Sequence, residues 1–166
     1  AYTEFWAVLM NAIILSYFET INKSNKEFLE YLDVMIRLEK AFSIYQLNKI
    51  LSFMNLNYSS LYLNDKTSVA ARLYLYREKT NVFCYYILKS ILLFHSDNFI
   101  KWCCINNIGI FNFFKSASTV EEFGNFIEEH YFSNEFLMEI ELSLFTDFIR
   151  NNKLLLKHDK FFKETM

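Results

Sequence analysis

The stretch Ile105-Asn-Asn-Ile-Gly-Ile-Phe-Asn-Phe-Phe114 decides the fold that this sequence predicts. Two asparagines precede Gly109, and an apolar segment follows the glycine at once. Glycine reaches backbone conformations that other residues avoid, so it permits a sharp turn between two closely packed helices. We therefore expect one helix before the junction, over about 97–107, and a second helix after it, over about 110–116.

The composition favours a single all-helical domain. Of the 166 residues, 53% are hydrophobic and 22% are charged, which is enough apolar material for a core. There is no proline and there are only two glycines, although these two residue types form most turns and interrupt regular structure. We predict one helical domain over residues 1–166, and a piece of a longer repeat protein would show the same composition.

Charge and cysteine content exclude several functional classes. The net charge is −2 and no run of basic residues is present, so we expect no nucleic-acid binding. The odd number of cysteines, Cys84, Cys103 and Cys104, predicts buried thiols in a reducing compartment. The three histidines have no metal-ligand spacing, so we expect neither a metal nor a cofactor. The expected location is intracellular and cytoplasmic, with an organelle as the alternative.

The apolar run Phe5–Phe18 raises the question of a membrane span. It has about 14 residues and contains Asn11 and Ser16, whereas a spanning helix needs roughly 20 apolar residues. We predict instead a helix over about 3–20 that other elements, a partner or a membrane surface would cover, and no transmembrane span.

Helices are predicted at about nine places along the chain. Ser24-Asn-Lys-Glu27 and Ser118-Thr-Val-Glu121 have the pattern of capping boxes, and Ser133 precedes a further helix start. Besides 3–20 and the two helices at the junction, the predicted helices cover about 25–42, 43–55, 68–77, 80–95, 119–131, 134–151 and 153–164. Many short helices fit a superhelix of stacked helices better than a four-helix bundle, whose helices need roughly 25 residues.

Apolar side chains recur at helical spacing in two neighbouring predicted helices. The stripe in 25–42 contains Phe28, Leu32, Met35, Leu38 and Phe42. The stripe in 43–55 contains Ile44, Leu47, Ile50, Leu51 and Met54. Such spacing predicts that both stripes face a core.

An internal repeat supports the stacked arrangement. Ser43–Leu51, Phe83–Leu92 and Glu141–Ile149 share one pattern of apolar and polar positions, and Tyr45 and Tyr86 are 41 positions apart. A period near 42, built from two or three helices, is typical of armadillo and HEAT repeats. The segment from Phe83 to Ser116 resembles one armadillo repeat passage, with Gly109 at the turn between its first and second helices.

The armadillo resemblance implies a binding groove. In that family the third helix of each repeat lines a concave face through a Trp and, four residues later, an Asn. The corresponding pairs here are Tyr45 with Lys49, Tyr86 with Ser90, and Ser143 with Asp147. Arg150 lies on the same predicted polar face as the last pair and completes the groove. None of the pairs is Trp–Asn, which argues against binding of extended nuclear-import-type peptides.

Part of the chain resembles one subgroup of these proteins. Leu73 to Ser118 and the segment Leu144-Phe-Thr-Asp-Phe-Ile-Arg-Asn-Asn-Lys-Leu-Leu155 are similar to parts of the calcium-binding protein 39 family. Members of that family hold a pseudokinase and sterile-twenty-type kinases in their active form. The resemblance therefore implies a non-catalytic scaffold or adaptor for a kinase or pseudokinase, and we transfer none of the family's contact residues to this chain.

Two other functions stay open. A compact helical bundle around the helix near 81–95 would bind an amphipathic helix, as apoptosis-regulator-like viral proteins do, and it would show one central helix. A structural subunit of a larger organellar assembly would have the same composition.

Catalysis is the least supported class. Four glutamates of one predicted helix, Glu121, Glu122, Glu128 and Glu129, precede His130, but no nucleophile motif or glycine-rich loop accompanies them. We expect a solvated face with His130 at the helix end, and no enzyme.

Overall fold

A computed structural model describes residues 1–78, 82–147 and 150 of the chain. These residues form α1 (Tyr2–Glu19), α2 (Asn25–Phe53), α3 (Lys66–Tyr74), α4 (Val82–Phe94), α5 (Ser96–Asn106), α6 (Ala117–His130) and α7 (134–147), with a 3-10 turn at Tyr58–Leu61. The predicted all-helical class is confirmed. The superhelix of about nine stacked helices is not confirmed, and the helix predicted over 153–164 lies outside the described residues.

The capping box at Ser24 is confirmed as the start of α2. The Ser24 hydroxyl accepts a hydrogen bond of 3.3 Å from the Glu27 amide, and the Glu27 carboxylate accepts one of 3.0 Å from the Ser24 amide. These two bonds satisfy amide groups that have no partner within the helix.

The predicted break between residues 42 and 43 is wrong, because α2 continues without interruption to Phe53. Ser43 stays helical, and its hydroxyl donates a 2.8 Å hydrogen bond to the carbonyl oxygen of Lys40 one turn earlier. Within one helix, residues 42 and 44 point in nearly opposite directions, since each residue advances the helix by about 100°. The two apolar stripes of α2 therefore cannot both face the same core.

A left-handed residue ends α2. Asn55 has a φ angle of 55°, and the amides of Asn55 and Leu56 donate to the carbonyl oxygens of Ser52 and Leu51 at 3.0 and 2.8 Å. This is the Schellman arrangement, in which two unpaired carbonyl groups at a helix end gain donors. It directs the chain into the loop over 55–65, which contains the 3-10 turn at Tyr58–Leu61.

Helix α4 lies at the centre of the molecule and packs against α1, α2, α5 and α6. Its Ile91 belongs to a core cluster with α2, the 3-10 turn and α7. The adjacent Leu92 and Leu93 belong to a second cluster with α1, α5 and α6. The buried second half of α4 therefore lies between the two clusters and contributes to both.

Helix α7 runs antiparallel to α2. The buried Asn48 of α2 donates a 3.3 Å hydrogen bond to the carbonyl oxygen of Ile140. Further toward the C terminus of α7, Arg150 lies over Tyr45, which precedes Asn48 in α2. Phe136 and Ile140 are almost fully buried in the cluster that contains Leu47.

The junction that decided the predicted fold is a loop. The helix expected over 110–116 is absent, and Gly109 and Asn112 form an isolated antiparallel bridge. Side chains satisfy the backbone here: the Tyr2 hydroxyl donates to the Ile110 carbonyl oxygen at 2.8 Å, and Asn107 accepts from the Phe114 amide at 3.3 Å. A seven-residue apolar segment has little intrinsic helix stability, so these contacts with α1 and Asn107 determine its conformation.

Two other helices begin at residues that differ from the predicted starts. The N-cap of α6 is Ser116, whose hydroxyl accepts from the Thr119 amide at 3.0 Å, and not Ser118. Helix α5 begins at Ser96 with His95 as its N-cap, one residue before the start predicted at about 97.

The cysteines also differ from the prediction of buried thiols. Cys103 is buried and Cys84 is partly buried, but Cys104 is exposed. Burial raises the pKa of the Cys103 thiol to about 11, so this thiol is neutral and unreactive near pH 7.

Candidate functional site

A groove of about 580 Å³ lies between α2 and α7. We call it the first groove. It is lined by Leu38, Ala41, Phe42, Ile44 and Tyr45 from α2, by Glu139, Leu142, Ser143, Thr146 and Asp147 from α7, and by Arg150. Its volume is in the range of pockets that bind small molecules or the anchoring side chains of a protein partner.

One wall of the first groove carries large apolar side chains that solvent reaches. Leu38, Phe42 and Leu142 are 59%, 53% and 57% exposed. Exposed apolar residues are ordinary when they are scattered, but three of them around one concavity form a surface that gains from being covered.

The polar end of the first groove has a fixed arrangement. The Arg150 guanidinium lies 3.1 Å from the Asp147 carboxylate and 5.7 Å from the centre of the Tyr45 ring. The ion pair and the cation–π contact hold these three side chains together across the two helices. The guanidinium is thus already partnered within the molecule.

The groove forms where the inward face of α7 changes from apolar to polar. Phe136 and Ile140 are buried, and Ser143 and Asp147 continue the same face at helical spacing and are partly exposed. Serine and aspartate do not fill the space that larger apolar residues fill one and two turns earlier. The helices therefore leave a gap at this end.

A second groove, of about 540 Å³, lies beside the first among α1, α2 and α4. Phe42 lines both grooves and separates them. The other residues that line the second groove are Glu4, Glu39, Gln46, Val82, Tyr85, Tyr86 and Lys89. The Lys89 ammonium lies 5.3 Å from the centre of the Tyr86 ring and donates to the Gln46 side-chain oxygen at 3.3 Å.

The structure brings most of the residues predicted from the armadillo resemblance to these grooves. Tyr45, Ser143, Asp147 and Arg150 line the first groove, and Tyr86 lines the second. Lys49 is exposed on α2 but is not among the described residues that line either groove.

The prediction for Ser90 is wrong. Ser90 is fully buried, and its hydroxyl donates to the carbonyl oxygens of Ser43 and Tyr86, both at 2.9 Å. A partner bound at the surface cannot reach this side chain, which serves the contact between α4 and α2.

Leu38 and Phe42 were predicted to face the core, and no prediction placed Leu142 in a binding groove. A usable signal was present in α2: no glycine or proline separates its two apolar stripes. In one continuous helix those stripes lie on different faces, so one of them must face something other than the main core.

The four glutamates of α6 and the neighbouring His130 lie in different environments. The glutamates are exposed, whereas His130 is buried at the end of α6. His130 Nδ1 donates to the Phe126 carbonyl oxygen at 2.9 Å, and its Nε2 accepts from the Asn98 amide at 3.3 Å. Both ring nitrogens are occupied by structural contacts.

In the described ranges 1–78, 82–147 and 150, no three His, Cys, Asp or Glu side chains are grouped as metal ligands would be. None of the helices in the same ranges combines the length and the apolar character that crossing a membrane requires.

Comparisons of the chain with protein-family models, curated proteins and solved structures found no match.

Proposed function

We propose that this chain is a non-catalytic protein-binding module that holds an amphipathic helix of another protein in the first groove. The observation that carries the proposal is the apolar wall of Leu38, Phe42 and Leu142, each more than half exposed around one concavity. A helix that inserts its apolar face would cover this wall. Full burial of a large side chain contributes about 1.5–3 kcal/mol, and covering the exposed half of each contributes a corresponding part of that.

The dimensions of the first groove suit a short helix. On α7 the lining runs from Glu139 to Asp147, which is roughly 12 Å at 1.5 Å per residue, and Arg150 extends it. Apolar anchors at positions i, i+4 and i+7 of a bound helix span roughly 10 Å. Three anchors therefore fit along the groove, and the Tyr45–Arg150–Asp147 cluster lies at its polar end.

The position of α4 favours the compact-bundle hypothesis over the armadillo-type scaffold. The compact-bundle hypothesis requires one central helix, and α4 contributes to both core clusters. The armadillo-type scaffold would use the same first groove, and its kinase or pseudokinase partner stays a prediction. The uninterrupted α2 and the loop at Gly109 give that form less support.

A selection experiment tests the proposal. The purified chain is presented with a display library of amphipathic helical peptides, and the enriched peptides are measured by titration. In the Phe42→Ala/Leu142→Ala double variant, the affinity of these peptides should fall at least about tenfold, because two of the three side chains of the apolar wall are truncated.

The matched control truncates the same residue types elsewhere. Leu29 and Phe132 are 61% and 51% exposed and line neither groove. The Leu29→Ala/Phe132→Ala variant should bind the peptides as the wild type does. An equal loss in both double variants, or no enrichment of helical peptides at all, would contradict the proposal.

A further inference from the structure

The second groove combines exposed aromatic side chains with two carboxylates that form no ion pair among the described residues. Phe42 and Tyr85 are 53% and 39% exposed, and Glu4 and Glu39 lie in the same lining. The ion pairs among the described residues join Lys26 with Glu30, Arg37 with Asp33, and Arg150 with Asp147. Neither glutamate takes part in any of them, and the Ala1 ammonium interacts electrostatically with Glu4 without forming an ion pair.

The two cationic side chains that line the grooves, Lys89 and Arg150, already contact groups within the molecule. Across both linings there are four carboxylates and two cations. Lys89 is held by Gln46 and the Tyr86 ring, and Arg150 is held by Asp147 and Tyr45. The described side chains that line the two grooves therefore carry net negative charge, and Glu4 and Glu39 belong to the part that forms no ion pair among them.

Lys89 shows within the molecule that this aromatic surface accepts a cation. Its ammonium lies 5.3 Å from the centre of the Tyr86 ring, within the distance at which a ring face attracts a positive charge. The neighbouring rings of Tyr85 and Phe42 are available for a second cation beside Glu4 and Glu39.

From this geometry we infer that the second groove binds a lysine or arginine side chain of the same partner helix whose apolar face occupies the first groove. The inference rests on the proposed function and adds the chemistry of the partner: a basic amphipathic helix. Phe42 lies between the two grooves, so a helix that crosses it places apolar anchors on one side and a cation on the other. Opposite charge selects such partners over neutral or acidic helices of equal apolar character.

The test repeats the peptide selection with matched charge variants. Glu4→Gln/Glu39→Gln removes the two carboxylates, and Glu19→Gln/Glu30→Gln removes two exposed carboxylates from the same two helices outside both grooves. Wild type and the control should enrich helices with Lys or Arg beside the apolar anchors. The Glu4→Gln/Glu39→Gln variant should enrich the same apolar anchors without the basic position.

A double-mutant cycle then measures the contact directly. In an enriched peptide the basic residue is replaced with norleucine, which keeps the apolar stem and removes the charge. Binding to wild type should weaken about five- to tenfold, and binding to Glu4→Gln/Glu39→Gln should not change further.

The possible outcomes separate this inference from the proposed function. Enriched helices without a basic preference, or an equal effect of norleucine on both proteins, would overturn the cationic site while the helix-binding function stands. Absence of any enriched helix would overturn both.

Discussion

The side chain of Ser90 donates a hydrogen bond of 2.9 Å to the carbonyl oxygen of Ser43, 47 residues earlier in the chain. The Tyr86 carbonyl oxygen, one turn before Ser90, shares the same hydroxyl proton at 2.9 Å. Both serines are almost fully buried. Small side chains at this crossing let the central helix α4 approach α2 closely, and these two helices supply most of the lining of the second groove.

The crossing at Ser90 should not tolerate a larger side chain. Ser90→Leu is expected to lower the free energy of unfolding by about 1–3 kcal/mol, because a fully packed site must expand. Ser143→Leu makes the same change at a serine that lines the first groove, and it should change the free energy of unfolding by less than about 0.5 kcal/mol. Urea denaturation of the two variants gives both values, and equal stability of the two would contradict the burial of Ser90.

His95 makes stability depend on pH. Burial, and then the neighbouring His130, lower the pKa of His95 from 6.5 to about 4. The His130 ring centre lies 4.5 Å away, and Ser133 contacts His95 Nε2 at 3.2 Å. Lys40 also disfavours the charged form, whereas Glu135 favours it.

The sign of this dependence follows from the lowered pKa. Above pH 6.5 His95 is neutral in both states, and the stability it contributes is fully present. Between pH 6.5 and about 4 the unfolded chain binds a proton that the folded chain does not, so the free energy of unfolding falls. His95→Gln should remove this part of the decline, measured as the difference from wild type between about pH 6.5 and 5, where few carboxylates titrate. Parallel curves for the two proteins would show that His95 does not titrate as described.

The left-handed position at the end of α2 should be sensitive to the side chain. Asn55 has a φ angle of 55°, and a β-branched residue there is strained, so Asn55→Val should lower the free energy of unfolding by about 1–2 kcal/mol. Asn55→Gly should keep the wild-type value, because glycine adopts this conformation freely. Thermal or urea unfolding distinguishes the two variants, and an unaffected Asn55→Val protein would argue against the Schellman end.

Gly109 should behave differently from Asn55. It does not have a positive φ angle, and a Cβ atom placed on it meets nothing within 4 Å. Gly109→Ala should leave the free energy of unfolding unchanged or raise it by up to about 1 kcal/mol, because alanine restricts the unfolded chain. A clear loss of stability in this variant would support the prediction that the chain needs glycine at this turn.

The start of α2 should depend on its cap. Ser24→Ala removes the hydroxyl that accepts from the helix amide and should lower the free energy of unfolding by about 1 kcal/mol. Ser52→Ala is the matched control, since Ser52 is exposed inside the same helix and its replacement should have little effect. Equal values for the two variants would show that the cap does not stabilise α2.

Local chemistry made several elements predictable. The Ser24–Glu27 capping box connects residues three positions apart, and the stripe of Ile44, Leu47, Leu51 and Met54 repeats at helical spacing and is buried as expected. The lining of the first groove was partly predictable, since Tyr45, Ser143 and Asp147 were expected from a shared pattern of positions and Arg150 from the polar face that contains Ser143 and Asp147.

The errors concern features that depend on distant residues. Whether 110–116 forms a helix depends on the Tyr2 hydroxyl, which bonds to Ile110 from 108 positions away. Whether Ser90 reaches solvent depends on its crossing with Ser43. Neither contact changes the spacing of apolar and polar residues around Ile110 or Ser90, so that spacing could not predict it.

The sequence by itself determined that the chain is helical, where α2 begins and which face of its second half is buried, because these properties depend on interactions within about one helical turn. Only the tertiary structure decided that α4 is central, that Gly109 lies in a loop and that Leu38, Phe42 and Leu142 face a groove. Those outcomes depend on which helices pack against each other. The spacing of apolar residues in the sequence is the same whether a neighbouring helix covers them or leaves them exposed.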